Sequence, residues 1–273
     1  CVHPDYFDAV DSVRARMPTV EHFVALEGAK AGWLNYEELL AAAKPEFKRP
    51  EIAESDLLSI NYTSGTTSKP KGVMITHRNA WVNSVGVMAH WNMVPSDRYL
   101  WTLPMFHANG WTFTWTVTAV GATHVCLPKV EPLLIFEAIN REQVTHLCAA
   151  PTVLIAIANG PEAQRKQVRR GVKVFTAGAP PAAATIERME GELGWDITQV
   201  YGLTETAPFI SICEPLPAHA KLDATARAKI KSRQGVELIT SGELEVVDEN
   251  MVPVPHDAAT MGEIVARGNV VMK

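Results

Sequence analysis

The sequence predicts an α/β protein: a mostly parallel sheet with flanking helices, joined to part of a small antiparallel β unit. Three observations predict it. Apolar, β-branched runs alternate with helix-length segments from residue 20 to residue 201. Cap-forming residues stand between them, such as Asn35 before Tyr36 and Thr76 before His77. After residue 214 the rhythm changes to two period-two runs, GELEVVD from Gly242 and GEIVARG from Gly262, with a Pro- and Asp-bearing turn between them.

Taken in order, strands are predicted at 20–26, 57–62, 99–103, 123–127, 146–149, 173–177 and 197–201. Helices are predicted at 36–43, 77–92, 109–120, 133–142, 152–158 and 182–193. Strand–helix alternation of this length reads as βαβ units. Residues 214–217 read as loop, and 224–232 as an exposed basic helix. The expected division is an α/β nucleotide- and acyl-binding region at 1–213, then a connector helix and the start of a small β-subdomain at 214–273.

Composition limits the possible functions. The chain has 273 residues, 47% hydrophobic and 20% charged, which suits one or two globular domains and excludes disorder, collagen and a disulfide scaffold. Its net charge of −5 excludes a general affinity for nucleic acid or anionic membrane. Cys1, Cys126, Cys148 and Cys213 form no CxxC pair, so neither a zinc knuckle nor a redox dithiol is signalled. The expectation is reduced thiols in a cytoplasmic protein, with Cys126 and Cys148 buried in apolar runs. No signal peptide is evident, and the most apolar stretch, 111–128, is broken by five Thr and by His124, so no transmembrane segment is expected. The chain opens on Cys1 and stops after a strand-like run, so it reads as a piece of a longer protein.

The most informative segment is Tyr62-Thr63-Ser64-Gly65-Thr66-Thr67-Ser68-Lys69-Pro70-Lys71-Gly72. It follows an apolar strand that is expected to be buried. Glycines let backbone amides turn inward as an anion-binding nest, hydroxyls donate to phosphate oxygens, and Lys69 and Lys71 bring positive charge. Pro70 stiffens the loop. The ligand this chemistry suits is a polyphosphate, most simply ATP. GxxxxGK[ST] does not match, because the glycine after Gly65 is Gly72, so the loop is not a Walker loop.

Three other segments follow predicted strands. In Tyr201-Gly202-Leu203-Thr204-Glu205-Thr206, a Thr and a carboxylate just past a strand end suit a phosphate donor and a Mg²⁺ ligand. A lone Thr-Glu pair is equally an ordinary turn with a cap. The small residues of Ala177-Gly178-Ala179-Pro180-Pro181 let a flat ring approach the backbone. In Phe106-His107-Ala108-Asn109-Gly110-Trp111, His107 has aromatic neighbours at a strand end, though a lone His is more often structural. Trp111, Phe113 and Trp115 continue the apolar pattern of a helix core.

Together these segments resemble the signatures of the adenylate-forming (AMP-binding) superfamily: acyl-CoA synthetases, beetle luciferases and peptide-synthetase adenylation domains. The resemblance spans residues 20–273 and implies the central part of the large N-terminal domain of such an enzyme. It implies that Thr63, Ser64, Gly65, Thr66, Thr67, Lys69 and Lys71 grip the β- and γ-phosphates of ATP. Ser68 stands where many members have Gly and is similar to some acyl-CoA ligases. Thr204 would contact the α-phosphate and Glu205 would bind Mg²⁺. Tyr201, Gly202, Gly178, Ala179 and Pro180 would line the adenine and acyl pocket. Lys71, His107, Thr204 and Glu205 would be the catalytic set, with His107 beside the substrate carboxylate. The tail, Gln234-Gly235, Gly242-Glu243-Leu244-Glu245-Val246 and Met261-Gly262-Glu263-Ile264-Val265-Ala266-Arg267-Gly268-Asn269, resembles fatty-acid–CoA ligases specifically. Residues 255–259 depart from it at a surface turn.

The activity this implies is an AMP-forming acid–thiol ligase: a fatty acid and Mg·ATP give acyl-AMP and pyrophosphate, and coenzyme A then displaces AMP. Two alternatives stand beside it. One is an amino-acid-adenylating domain, although such domains usually carry Asp where this chain has His107. The other is a non-catalytic nucleotide-binding module. The family's ribose-binding Asp, hinge and C-terminal lysine domain would follow Lys273, so residues 1–273 alone are expected to be inactive. Acyl-chain length and oligomeric state are not encoded in any one motif.

Overall fold

The computed structural model describes residues 1–64 and 69–273. The chain forms two compact units, Cys1–Ile52 and Ala53–Lys273.

The first unit holds α1 (Phe7–Val13), β1 (Val24–Ala25), β2 (Leu34–Asn35) and α2 (Tyr36–Ala42). β1 and β2 pair in parallel. The strand predicted at 20–26 contracts to β1, because its partner offers only two residues to pair. Asn35 caps α2 as expected, its side chain accepting from the Glu38 amide at 3.0 Å. Trp33 is the centre of the unit, tilted against Phe7 and edge-on to Phe23 at 5.0 and 5.3 Å between ring centroids.

The second unit begins with an antiparallel hairpin, β3 (Leu57–Thr63) and β4 (Lys71–Thr76). Here the structure corrects two expectations. β3 belongs to this two-stranded ribbon and not to the parallel sheet. It is also not buried: Ile60 is 50% exposed and Tyr62 74%. β4 was hidden from the sequence reading because 71–76 looked like the tail of the loop, yet Val73 and Ile75 are buried at period two.

The chain then runs through α3 (His77–Trp91), β5 (Arg98–Trp101), the single turn α4 (Ala108–Trp111), α5 (Phe113–Val120), β6 (Thr123–Cys126), α6 (Pro132–Glu142) and β7 (His146–Cys148). It continues through α7 (Pro151–Ala158), α8 (Glu162–Gln167), β8 (Lys173–Thr176), α9 (Ala183–Arg188), β9 (Asp196–Gly202), β10 (Phe209–Cys213), α10 (Ala224–Lys231) and β11 (Val236–Glu237). β12 (Glu243–Val247) and β13 (Glu263–Arg267) form the expected antiparallel pair. Thr76 starts α3 with a capping box: its hydroxyl accepts from the Asn79 amide at 3.2 Å, and the Asn79 side-chain oxygen accepts from the Thr76 amide at 2.8 Å.

Among the described residues seven strands form one sheet, in the order β11-β10-β9-β8-β7-β5-β6. β5 to β9 run parallel, and β10 turns back against β9. The period of two divides the core between the two faces. Leu100, Leu147, Val174 and Ile197 pack on one side with residues of α6, α7 and α9. Tyr99, Trp101, Cys148, Phe175 and Val200 pack on the other with Val87, Trp91, Phe113 and Val117. Burial on both faces is what a parallel sheet requires.

Several finer expectations change. The helix predicted at 109–120 is broken: residues 108–112 all have positive φ, from 40° to 67°. The helix predicted at 182–193 changes to π geometry over Met189–Leu193. The basic helix at 224–232 is not wholly exposed, since Lys231 is buried between Glu190 and Asp196. Cys126 is exposed on the edge strand β6, whereas Cys148 is buried as expected. β11 extends the main sheet past residue 214.

Candidate active site

The hairpin sets one wall of the site. Its register puts Thr63 directly opposite Lys71, so a hydroxyl and an ammonium group lie side by side where the loop 64–70 leaves the ribbon. Gly65, Thr66, Thr67 and Ser68 fall outside the described residues.

The carboxyl ends of the parallel strands form the floor, where open α/β sheets place ligands. β8 ends at Thr176, and Ala177 and Gly178 follow at the cleft. β9 ends at Gly202, and a 3-10 turn, Thr204–Thr206, presents the next two residues. That turn is held from several directions. The Thr206 hydroxyl accepts from the Leu203 amide at 2.9 Å. The fully buried Asn83 side chain of α3 donates to the Phe209 carbonyl at 2.7 Å. The Met272 amide donates to the Glu205 carbonyl at 2.8 Å. Gly202 is required here because a Cβ would stand 1.9 Å from the Pro208 carbonyl oxygen.

The third wall is the turn after β5. Its left-handed run brings His107, Ala108 and Trp111 to the cleft. A helix from 109 to 120, as the apolar pattern suggested, would have turned Trp111 differently.

These walls enclose a cleft of about 540 Å³. Of the residues singled out from sequence, it brings together Thr63, Ser64, Lys71, His107, Gly178, Gly202, Thr204 and Glu205. Lys69, Ala179, Pro180 and Tyr201 do not line it; the first three are exposed beside it. Ala108, Trp111, Leu203, Pro208 and Phe209 line it without having been assigned to it. Each adjoins a motif that was recognised, and Phe209 was missed because no strand was expected after Thr206.

The charged groups that line the cleft, Lys71 and Glu205, come from different walls. Among the described residues no group of three or more His, Cys, Asp or Glu is placed to hold a metal unaided. A lone carboxylate still suits Mg²⁺, which keeps several waters and takes most remaining ligands from substrate phosphates. Among the described residues no cysteine lines the cleft, and burial pushes the Cys148 and Cys213 thiols up, away from thiolate.

Known proteins place this geometry. The chain is 44% identical to the probable acyl-activating enzyme 4 of Arabidopsis thaliana over 87% of its length. It is 42% identical to the 2-methylpropanoate–CoA ligase CCL4 of Humulus lupulus over 90% of its length. It spans 43% and 44% of those two relatives. The fold is that of a long-chain-fatty-acid–CoA ligase of Archaeoglobus fulgidus, with a TM-score of 0.82, 24% identity, and coverage of all of this chain and 53% of the other. No helix among the described residues is long and apolar enough to cross a membrane. The family model described as AMP-binding enzyme matches residues 2–273, and with the site arranged as above the chain belongs to that family.

Proposed function

We propose that this chain is the nucleotide- and acid-binding core of an acid–CoA ligase that works through an acyl-adenylate. The observation that carries the reading is the convergence of Thr63, Ser64 and Lys71 with Thr204, Glu205 and His107 on one cleft. In the first step a carboxylate oxygen attacks the α-phosphorus of ATP; the bond to the bridging oxygen breaks and pyrophosphate leaves with the electron pair. In the second, the CoA sulfur attacks the acyl carbon and gives up its thiol proton to solvent; the bond from the acyl carbon to the phosphate oxygen breaks, and AMP leaves with the electron pair. Both reactants of the first step are anions, so the protein's task is to bring them together and offset their charge.

In this reading Thr63, Ser64 and Lys71 hold the outer phosphates, together with Gly65, Thr66, Thr67 and Lys69 of the same motif. The Thr204 hydroxyl donates to the α-phosphate. Glu205 holds Mg²⁺, which when bound supplies charge neutralisation on the phosphates. Gly178 and Gly202 form the adenine side of the cleft, with Ala179, Pro180 and Tyr201 of the same motifs next to them in sequence. His107 and Trp111 face the acid. The substrate is a plain carboxylic acid, because His107 offers no carboxylate for a substrate ammonium group. Residues 214–273 supply a connector helix and the start of a small β-subdomain in the same proposal.

The test is pyrophosphate exchange by the full-length protein with 2-methylpropanoate, a fatty-acid length series and the amino acids, followed by thioester detection with CoA. Exchange with plain acids supports the ligase. Exchange confined to amino acids replaces it with a peptide-synthetase adenylation activity, and Mg·ATP binding without exchange replaces it with a non-catalytic module.

A further inference from the structure

Five consecutive residues, Ala108 to Thr112, have φ of 40°, 47°, 61°, 53° and 67°. Four of them are not glycine, and L-residues resist this region. A turn of this kind persists when its surroundings over-determine it. Gly110 accounts for part of that, since its missing Cβ would lie 2.5 Å from the Trp101 ring. Thr112 is buried against the Ser84 hydroxyl at 3.1 Å. The remaining hold is Asn109, whose residue type tolerates the left-handed region.

Asn109 is bound at both ends. Its carbonyl accepts from the Thr114 hydroxyl at 2.9 Å. Its side-chain oxygen accepts from the Ser59 hydroxyl at 2.8 Å and from the Asn61 side-chain Nδ2 at 2.5 Å, which uses both lone pairs. Ser59 and Asn61 lie on the face of β3 that two residues later presents Thr63. The strand face that leads into the phosphate loop therefore also grips the turn that carries His107.

We infer that Asn109 is a positioning residue: its clasp with Ser59 and Asn61 sets the acid side of the cleft in register with the phosphate side. This rests on the ligase reading above. A carboxylate held by the His107 turn must meet the α-phosphorus of a nucleotide held from β3. Misplacement by an ångström is enough to cost about a hundredfold in such a step.

The decisive variants separate backbone from side chain. Asn109→Gly keeps the left-handed backbone and removes the acceptor; Asn109→Asp keeps both. In the full-length protein, Asn109→Gly should raise the KM for acid about tenfold or more while the KM for ATP stays within about threefold, and Asn109→Asp should return the acid KM to within about threefold of wild type. Ser59→Ala should add little to Asn109→Gly, because the two act through one contact. Acid KM unchanged in Asn109→Gly, equal rises for acid and ATP, or full additivity with Ser59→Ala would each overturn the inference. If the wild type adenylates no acid, the ligase reading falls and amide exchange still decides the clasp. Residues 107–112 should exchange faster in Asn109→Gly and not in Asn109→Asp; equal exchange would remove it.

Discussion

Lys69 and Lys71 are two residues apart and chemically identical, yet Lys71 alone of the two lines the cleft, opposite Thr63 in the hairpin register. Lys71→Ala should therefore raise the KM for ATP more than Lys69→Ala in the full-length protein, and the reverse order would reject this placement of the loop. Glu205→Gln preserves shape and removes charge. It should slow pyrophosphate exchange by about 10²-fold, the scale seen when a preorganised charge partner is lost. A near-normal rate would reject the proposal that Glu205 holds Mg²⁺. At this scale the sequence was most informative, because Lys, Thr and Glu at strand ends carry their chemistry in the residue type. It was least informative for Trp111 and Asn109. Nothing in their identity shows that the backbone around them is left-handed, since that depends on the Trp101 ring outside the turn and on Ser59 and Asn61, which are 50 and 48 residues from Asn109.

Among the elements, the parallel strands were legible because burial on both faces leaves unbroken β-branched runs. β4 and β10 were not: β4 shares Lys71 and Gly72 with the loop motif, and β10 starts just past the motif that ends at Thr206. The turn joining β9 to β10 shows what such compactness demands. Gly202 lies against the Pro208 carbonyl with no room for a methyl group, and the Thr204–Thr206 turn is built on that approach. Gly202→Ala should destabilise the protein by about 2 kcal/mol or more through backbone displacement. It should also abolish exchange activity, because Thr204 and Glu205 move with the turn. A thermal melt alongside the exchange assay checks both; an unchanged melting temperature would show that the turn yields without cost.

For the molecule as a whole, stability should depend on pH through a group far from the cleft in function. His146 begins β7, is 2% exposed and packs edge-on to Trp91 at 4.9 Å. Burial lowers its pKa from 6.5 to about 4, with Lys173 acting in the same sense and Asp97 opposing. Its buried Nε2 has no hydrogen-bond partner. The folded state thus binds fewer protons than the unfolded state between pH 6.5 and about 4. Stability is unaffected by this group above pH 6.5 and is lost as the pH falls through that window, by at most about 3 kcal/mol. Unfolding titrations at pH 7 and pH 4.5 should differ by less in His146→Gln than in the wild type. Equal differences would acquit His146 of any role in acid sensitivity.

Residues 269–273 tie the second unit together: Asn79 donates to the Asn269 and Val271 carbonyls, Met272 to Glu205, and Lys273 to Met74. In a nascent chain the Glu205 turn and the β3–β4 hairpin leave the ribosome long before this segment does. Domains fold during synthesis from the N-terminal side, so the Glu205 turn waits on backbone that is made well after it. Ribosome-stalled chains ending near residue 260 should leave the Glu205 turn open to protease, and chains that have fully exposed residue 273 should protect it. The cleft is then completed after the sheet that floors it, and a chain interrupted in between carries the sheet without the finished Glu205 turn.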